Sequence, residues 1–239
     1  MSFSVFENSS NWASKHHICN SAKQICESTQ DDAKSEASSV QEKFKLYLTD
    51  HQTTGRGRNK NQWENSNKGS QLLSSFSYYV EGAPQPITAP IIGLALYNSL
   101  ISVWPQAEFS IKAPNDILLS GKECAGLLIE NIQLGSDTRL IIGLGINVFS
   151  EPESRSFVST YLNQHCPVNS ENWADFLKEL NYEFEQAAKS SAATHLSEKQ
   201  REDLLVALNR NPQNKEKYSG ISPFGDIHTN NQVISWREL

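Results

Sequence analysis

The run Arg139-Leu140-Ile141-Ile142-Gly143-Leu144-Gly145-Ile146-Asn147 is apolar at nearly every position and decides the fold. A strand without polar alternation has both faces covered, so it belongs at the centre of a sheet between two layers. Its glycines admit close packing of a ligand or a neighbouring backbone. Two further β-rich segments precede it, Phe109–Ile111 and Cys124–Ile132. Pro114-Asn115-Asp116, Ser120-Gly121 and Gly135-Ser136 supply the turns between the three. Pro90 opens an amphipathic helix reaching about Val103, with Ile91, Leu94, Ala95, Leu100 and Ile101 near helical spacing, expected to cover one face of the sheet. Farther upstream, Ile18 to Ile25 reads as a first strand. Ser28-Thr29 offers a helix N-cap for a helix over roughly Asp31 to Gln41, and Phe44 to Leu48 alternates as a half-buried strand.

Downstream, Trp173 to Ala188 and Ser197 to Leu208 read as helices, the second lacking a good capping box. Residues 1–17 read as a polar, loose lead-in, and Tyr218 to Leu239 as short β-prone runs with Gly, Pro and Asn punctuation. This pattern predicts one large domain over 18–210 and a short β-rich tail or reduced barrel over 211–239, with no DNA-binding domain ahead of Ser28. The fold class is α+β, with a mixed, largely antiparallel sheet flanked by helices.

Charge and hydropathy narrow the function. A formal net charge of -6 over 239 residues argues against a phosphate-backbone binder, so no nucleic-acid partner is expected. No segment approaches 18 uninterrupted apolar residues and the amino terminus has no signal-peptide pattern, so no membrane partner and a cytoplasmic location are expected. The four cysteines and six histidines are too scattered for a structural metal site. The sequence leaves homodimerisation open.

Between Asp50 and Gly69 lies a long polar loop, and long loops in compact domains are usually functional or disordered. It opens with Gln52-Thr53-Thr54-Gly55-Arg56-Gly57-Arg58. Two glycines let the backbone approach a ligand, and two permanently charged guanidiniums can grip phosphate or carboxylate oxygens in bidentate fashion. Lys112-Ala113-Pro114-Asn115-Asp116 closes a strand with a stiff turn whose Asn can both donate to and accept from a heterocycle. Each motif alone is an ordinary turn or strand. Their order and spacing, joined by Lys122-Glu123-Cys124-Ala125-Gly126-Leu127-Leu128-Ile129-Glu130, carry more information.

This series resembles the catalytic core of the biotin protein ligases, of the class II synthetase-like biotin/lipoate ligase type. The resemblance extends to Glu27-Ser28-Thr29-Gln30, Trp63 and the stretch from Gly69 to Ser75, and covers residues 18–150. It implies attack of biotin's carboxylate on the α-phosphate of ATP, with Mg²⁺ accompanying the nucleotide, to give biotinyl-adenylate. A lysine of a biotin carboxyl carrier protein or domain would then take the biotinyl group. By resemblance Ser28, Thr29, Gln30, Gln52, Gly57, Glu123 and Gly126 line the biotin site. Arg56 and Arg58 hold carboxylate and phosphates, while Trp63, Lys112, Asn115 and Asn147 belong with Arg58 to the nucleotide site. No residue is expected to hold a metal independently of ATP.

Four positions depart from the family pattern: Gln30 stands for Asn, Lys60 for Gly, Ala113 for Trp, and Glu123 for the lysine that contacts biotin's carboxylate. Lys122 next door is the candidate replacement cation. It would reach the site only if a bulge or turn re-aimed it, because adjacent strand residues point to opposite faces. Two alternatives to a working biotin ligase follow: a catalytically weakened or silent homologue that binds biotin, nucleotide or carrier, and a ligase or transferase for another acid such as lipoate.

Overall fold

The computed structural model describes residues 3–152 and 158–236. Its centre is a seven-stranded sheet of order β1-β2-β3-β7-β6-β5-β4. The strands are β1 (Asn20–Cys26), β2 (Phe44–Gln52), β3 (Gln71–Val80), β4 (Phe109–Lys112), β5 (Asp116–Leu119), β6 (Lys122–Leu134) and β7 (Asp137–Asn147). Only the β1–β2 pair is parallel; every other neighbour in this sheet is antiparallel. The apolar run is therefore the middle strand, as its composition predicts. Leu140, Ile142, Leu144 and Ile146 face the main core, while Ile141 packs with Tyr47 and Ala33 on the opposite side.

Helices α1 (Val5–Lys15), α3 (Thr88–Val103), α5 (Ser170–Lys189) and α6 (Glu198–Asn209) share that main core; α2 (Thr29–Ser35) lies on the other face, and α4 (Leu162–His165) is one turn near the end of β7. A second, antiparallel sheet of β8 (Gly220–Ile221), β9 (Ile227–His228) and β10 (Val233–Ile234) forms the tail. It is tied to the main domain by Trp236, whose indole N–H donates to the Pro114 carbonyl at 3.1 Å.

Four expectations need correction. The lead-in expected over 1–17 is not loose where it is described, from residue 3: α1 buries Val5, Phe6, Trp12 and Ala13, and Ser9 accepts a 3.0 Å hydrogen bond from the Trp173 indole. The polar residues of that segment occupy one side of an amphipathic helix. Helix α3 is not amphipathic, since every residue from Pro90 to Tyr97 is buried, held between the sheet and helices α5 and α6. Helix α2 stops at Ser35, because Ser35 and Ser39 turn their hydroxyls onto the Asp32 and Glu36 carbonyls and compete with continued helix. Helix α6 does have a capping box, in which Gln200 N–H donates to Ser197 Oγ at 3.2 Å and Ser197 N–H to Gln200 Oε1 at 2.8 Å.

Candidate functional site

The sheet face away from the main core is roofed by α2 and by the 53–69 loop, and between them lies a cavity of about 580 Å³. β7 supplies its floor because Gly143, Gly145 and Asn147 alternate with the core-facing residues. At one end the walls are uncharged. Thr29 N–H donates to Gln52 Oε1 at 2.8 Å, the hydroxyls of Thr29 and Ser75 lie 2.9 Å apart, and Ser75 donates to Gln30 Oε1 at 3.0 Å. Ser28 occupies the N-cap position of α2 without capping it. Its Oγ is buried and unpartnered among the described residues. A buried hydroxyl without a partner is costly, and this one is left available to a polar group in the cavity.

The other end is charged, with both signs present. Arg58, Lys112, Asn115 and Asp116 line it, with Arg58 donating to Asn115 Oδ1 at 3.4 Å and Asn115 Nδ2 donating to the Leu127 carbonyl at 3.0 Å. Lys112 and Asp116 are cross-strand partners of the β4–β5 hairpin and form an ion pair of 2.9 Å. Burial works against the charge on Lys112, but Asp116 outweighs it and its pKa is raised. Asp116 escapes a reading of the sequence. Its only signal is a spacing of four from Lys112, which becomes a contact once Ala113-Pro114-Asn115 is recognised as a tight hairpin turn.

Gly126, expected to let a ligand lie against the strand, and Gly145, expected to admit a ligand or a neighbouring backbone, both lie against the Trp63 indole. A Cβ on Gly126 would come within 2.9 Å of Cζ3 of that indole, and one on Gly145 within 2.5 Å of Cζ2. Gly143 makes room for the Gln30 carboxamide in the same way, at 2.6 Å. The Trp63 Nε1–H is buried and unpartnered among the described residues. Asn147 lines the cavity too, but its amide is committed: Oδ1 accepts from Gln71 at 2.8 Å and Nδ2 donates to the Thr160 carbonyl at 3.2 Å. It braces the end of β7.

The two loop arginines are not equivalent. Arg58 faces the cavity. Arg56 also borders it, but its guanidinium donates to Asp31 at 2.7 Å and to Glu130 at 3.2 and 3.3 Å. Burial works against its charge, yet the two carboxylates outweigh burial and raise its pKa. Glu130 is in turn paired with Lys34 at 2.9 Å. Arg56 thus fastens the loop to α2 and β6, a role with no signal in its own motif because both partners lie on other elements.

Glu123 lines the cavity and Lys122 does not; Lys122 is exposed at the start of β6. The pairing explains why. Leu118 pairs with Glu123 and Ile117 with Ala125, leaving Cys124 as the extra residue of a β-bulge, with Cys124 and Ala125 both in the main core. Strict alternation back from Gly126 would place Lys122 on the cavity face. The bulge shifts the count by one and gives that face to Glu123. A bulge is present, then, but it turns Lys122 away, which corrects its assignment as the catalytic cation. Burial first, then the Asp116 carboxylate, push the Glu123 pKa up to about 7, with Lys112 opposing.

No helix among the described residues is long and apolar enough to cross a membrane. Comparisons with known proteins agree with the fold. Residues 21–147 match the model of the biotin/lipoate A/B protein ligase family. The chain is 32% identical over 129 residues to biotin–protein ligase 2 of Arabidopsis thaliana, covering 52% of this chain and 38% of that protein. It is 34% identical over 114 residues to the biotin–[acetyl-CoA-carboxylase] ligase of Mycobacterium tuberculosis, covering 45% and 41%. The matches therefore span well under half the length of these relatives. Among solved structures, the biotin protein ligase of Aquifex aeolicus in complex with biotin and ATP superposes with a TM-score of 0.64 at 23% identity, covering 90% of this chain and 94% of that one. The biotin protein ligase of Leishmania major in complex with biotin gives 0.60 at 20% identity, covering 91% and 96%. With more than half of its residues inside the family match, the chain belongs to the biotin/lipoate A/B protein ligase family.

Proposed function

We propose that this protein activates biotin with ATP and transfers it to a lysine of a biotin carboxyl carrier protein or domain. One observation carries the reading: a single cavity joins a neutral hydrogen-bonding end, built from Ser28, Thr29, Gln30, Gln52 and Ser75, to a charged end where Arg58, Lys112 and Asn115 stand beside Asp116 and Glu123. Biotin has matching ends, an uncharged ureido group and a carboxylate. Arg58 and Lys112 at the charged end suit that carboxylate next to ATP phosphates, where unscreened repulsion would otherwise keep the reactants apart.

Arg58 would bridge carboxylate and phosphate oxygens, Lys112 would add charge, and Asn115 would meet the nucleotide. Mg²⁺ would enter on the ATP phosphates, its usual mode in such sites. The carboxylate oxygen bonds to the α-phosphorus and pyrophosphate leaves. The carrier's lysine amine then attacks the acyl carbon, and AMP leaves from a mixed anhydride that is a far better acyl donor than the free acid. Trp63 and the 53–69 loop would shield that anhydride from water.

Incubation with biotin, ATP, Mg²⁺ and a biotin carrier domain tests this. A mass gain of one biotinyl group on the carrier is expected; no labelling together with no biotin-dependent pyrophosphate release would overturn it. A second reading, a homologue that binds without chemistry, is favoured by the Glu123 carboxylate in the cavity. It predicts biotin binding without pyrophosphate release.

A further inference from the structure

On the reading that the cavity takes an anionic acid, we infer that Glu123 acts there as a neutral acid, so that the anionic ligand binds together with one proton carried on the Glu123 carboxyl group. The bulge at Cys124 aims this side chain into the cavity, and the cations around it already have partners. From β4, Lys112 pairs with Asp116 at 2.9 Å; from the loop, Arg58 donates to Asn115 and Arg56 is held by Asp31 and Glu130. Asp116 faces Glu123 from β5 with a second negative charge. Among the described residues, Glu123 has only backbone hydrogen bonds: its N–H donates to the Val158 carbonyl at 3.2 Å and its carbonyl accepts from Thr160 N–H at 2.9 Å.

An ionised Glu123 would repel an acid in the same cavity. A protonated one offers an O–H donor to an anionic oxygen and removes one of the two negative charges. Burial and Asp116 hold its pKa near 7, so the two forms exchange at ordinary pH. The overall event is uptake of one ligand anion and one proton by the ionised protein. No histidine lines the cavity among the described residues, so a binding transition near neutrality reports on Glu123.

Apparent affinity scales with the fraction of protein in the competent form. Calorimetric titration of the full chain with biotin between pH 6 and 9 should show a plateau at the acid end and a loss of about tenfold per pH unit above about 7. At pH 8, heats in buffers of different ionisation enthalpy should reveal uptake of about one proton per biotin, a readout that needs no variant. Glu123→Gln should bind with a flat profile and no proton uptake, and Asp116→Asn should move the decline to lower pH. Biotin binding by the wild type with no proton uptake and the same pH profile as Glu123→Gln overturns the inference and leaves the functional reading intact. Absence of biotin binding in wild type and both variants at every pH overturns both.

Discussion

Trp63 rests on Gly145: the indole Cζ2 stands 2.5 Å from where a Cβ on that glycine would be, which leaves no space for even a methyl group. Gly145→Ala should push the indole out of its seat. Overpacking of a fixed backbone position costs about 1–3 kcal/mol, read as a lower midpoint in urea. The partnerless indole N–H should then reach water, so tryptophan emission should shift to the red in the variant's native state. An unchanged spectrum and midpoint would contradict the packing.

Glu130 holds Arg56, Lys34 and with them the loop, and the pH response has a definite sign. Burial alone would raise the Glu130 pKa, but Lys34, Gln30 and Arg56 outweigh it and lower it. A depressed carboxylate contributes stability that is present above the unfolded value of about 4.3 and fades as pH falls below it. Thermal melts from pH 7 to 3 should therefore show a steeper acid loss for wild type than for Glu130→Gln. At pH 7 the variant should also be cut faster by protease within residues 53–69.

Glu123 behaves oppositely. Its raised pKa means the folded state disfavours the ionised form, so destabilisation begins above about 4.3 and is complete above about 7. Glu123→Gln should be nearly neutral at pH 4 and stabilising at pH 8, on the order of 2 kcal/mol. A tenfold change in proton affinity is worth about 1.4 kcal/mol, and the water that still reaches this carboxylate screens part of the sum. Equal stabilisation at both pH values would argue against a carboxylate held in an unfavourable setting.

Trp236 ties the tail to the turn that carries Asn115 and Lys112 through the Pro114 carbonyl. Trp236→Phe keeps most of the packing and removes the N–H donor. We expect a loss of about 1 kcal/mol in stability and, on the proposed function, a higher KM for ATP with biotin affinity unchanged.

Unbroken apolar composition makes the sheet centre legible, because β7 is apolar on both faces for the same reason that it sits between two layers. The cavity is legible as a set of residues, since glycines and cations mark a backbone that something approaches. What approaches is not. Gly126 and Gly145 admit Trp63 and Gly143 admits Gln30, contacts between residues far apart in the chain. Arg56 reads as an anion grip because Asp31 and Glu130 lie on other elements. Strand β5 is hidden because Asp116 reads as the end of a turn, and α1 because its few apolar residues are spread among polar ones.

The bulge at Cys124 means that the sign of the charge offered to the cavity is written in strand length rather than in side-chain identity. Lys122 and Glu123 are neighbours, and which of them looks inward depends on whether Cys124 counts as a pleat. Remodelling the hairpin turn so that β6 pairs without the extra residue would put an ammonium where the carboxylate now stands while conserving the composition of the strand. A column-by-column comparison of residues counts letters, the sheet counts pleats, and at this position the two tallies differ by one.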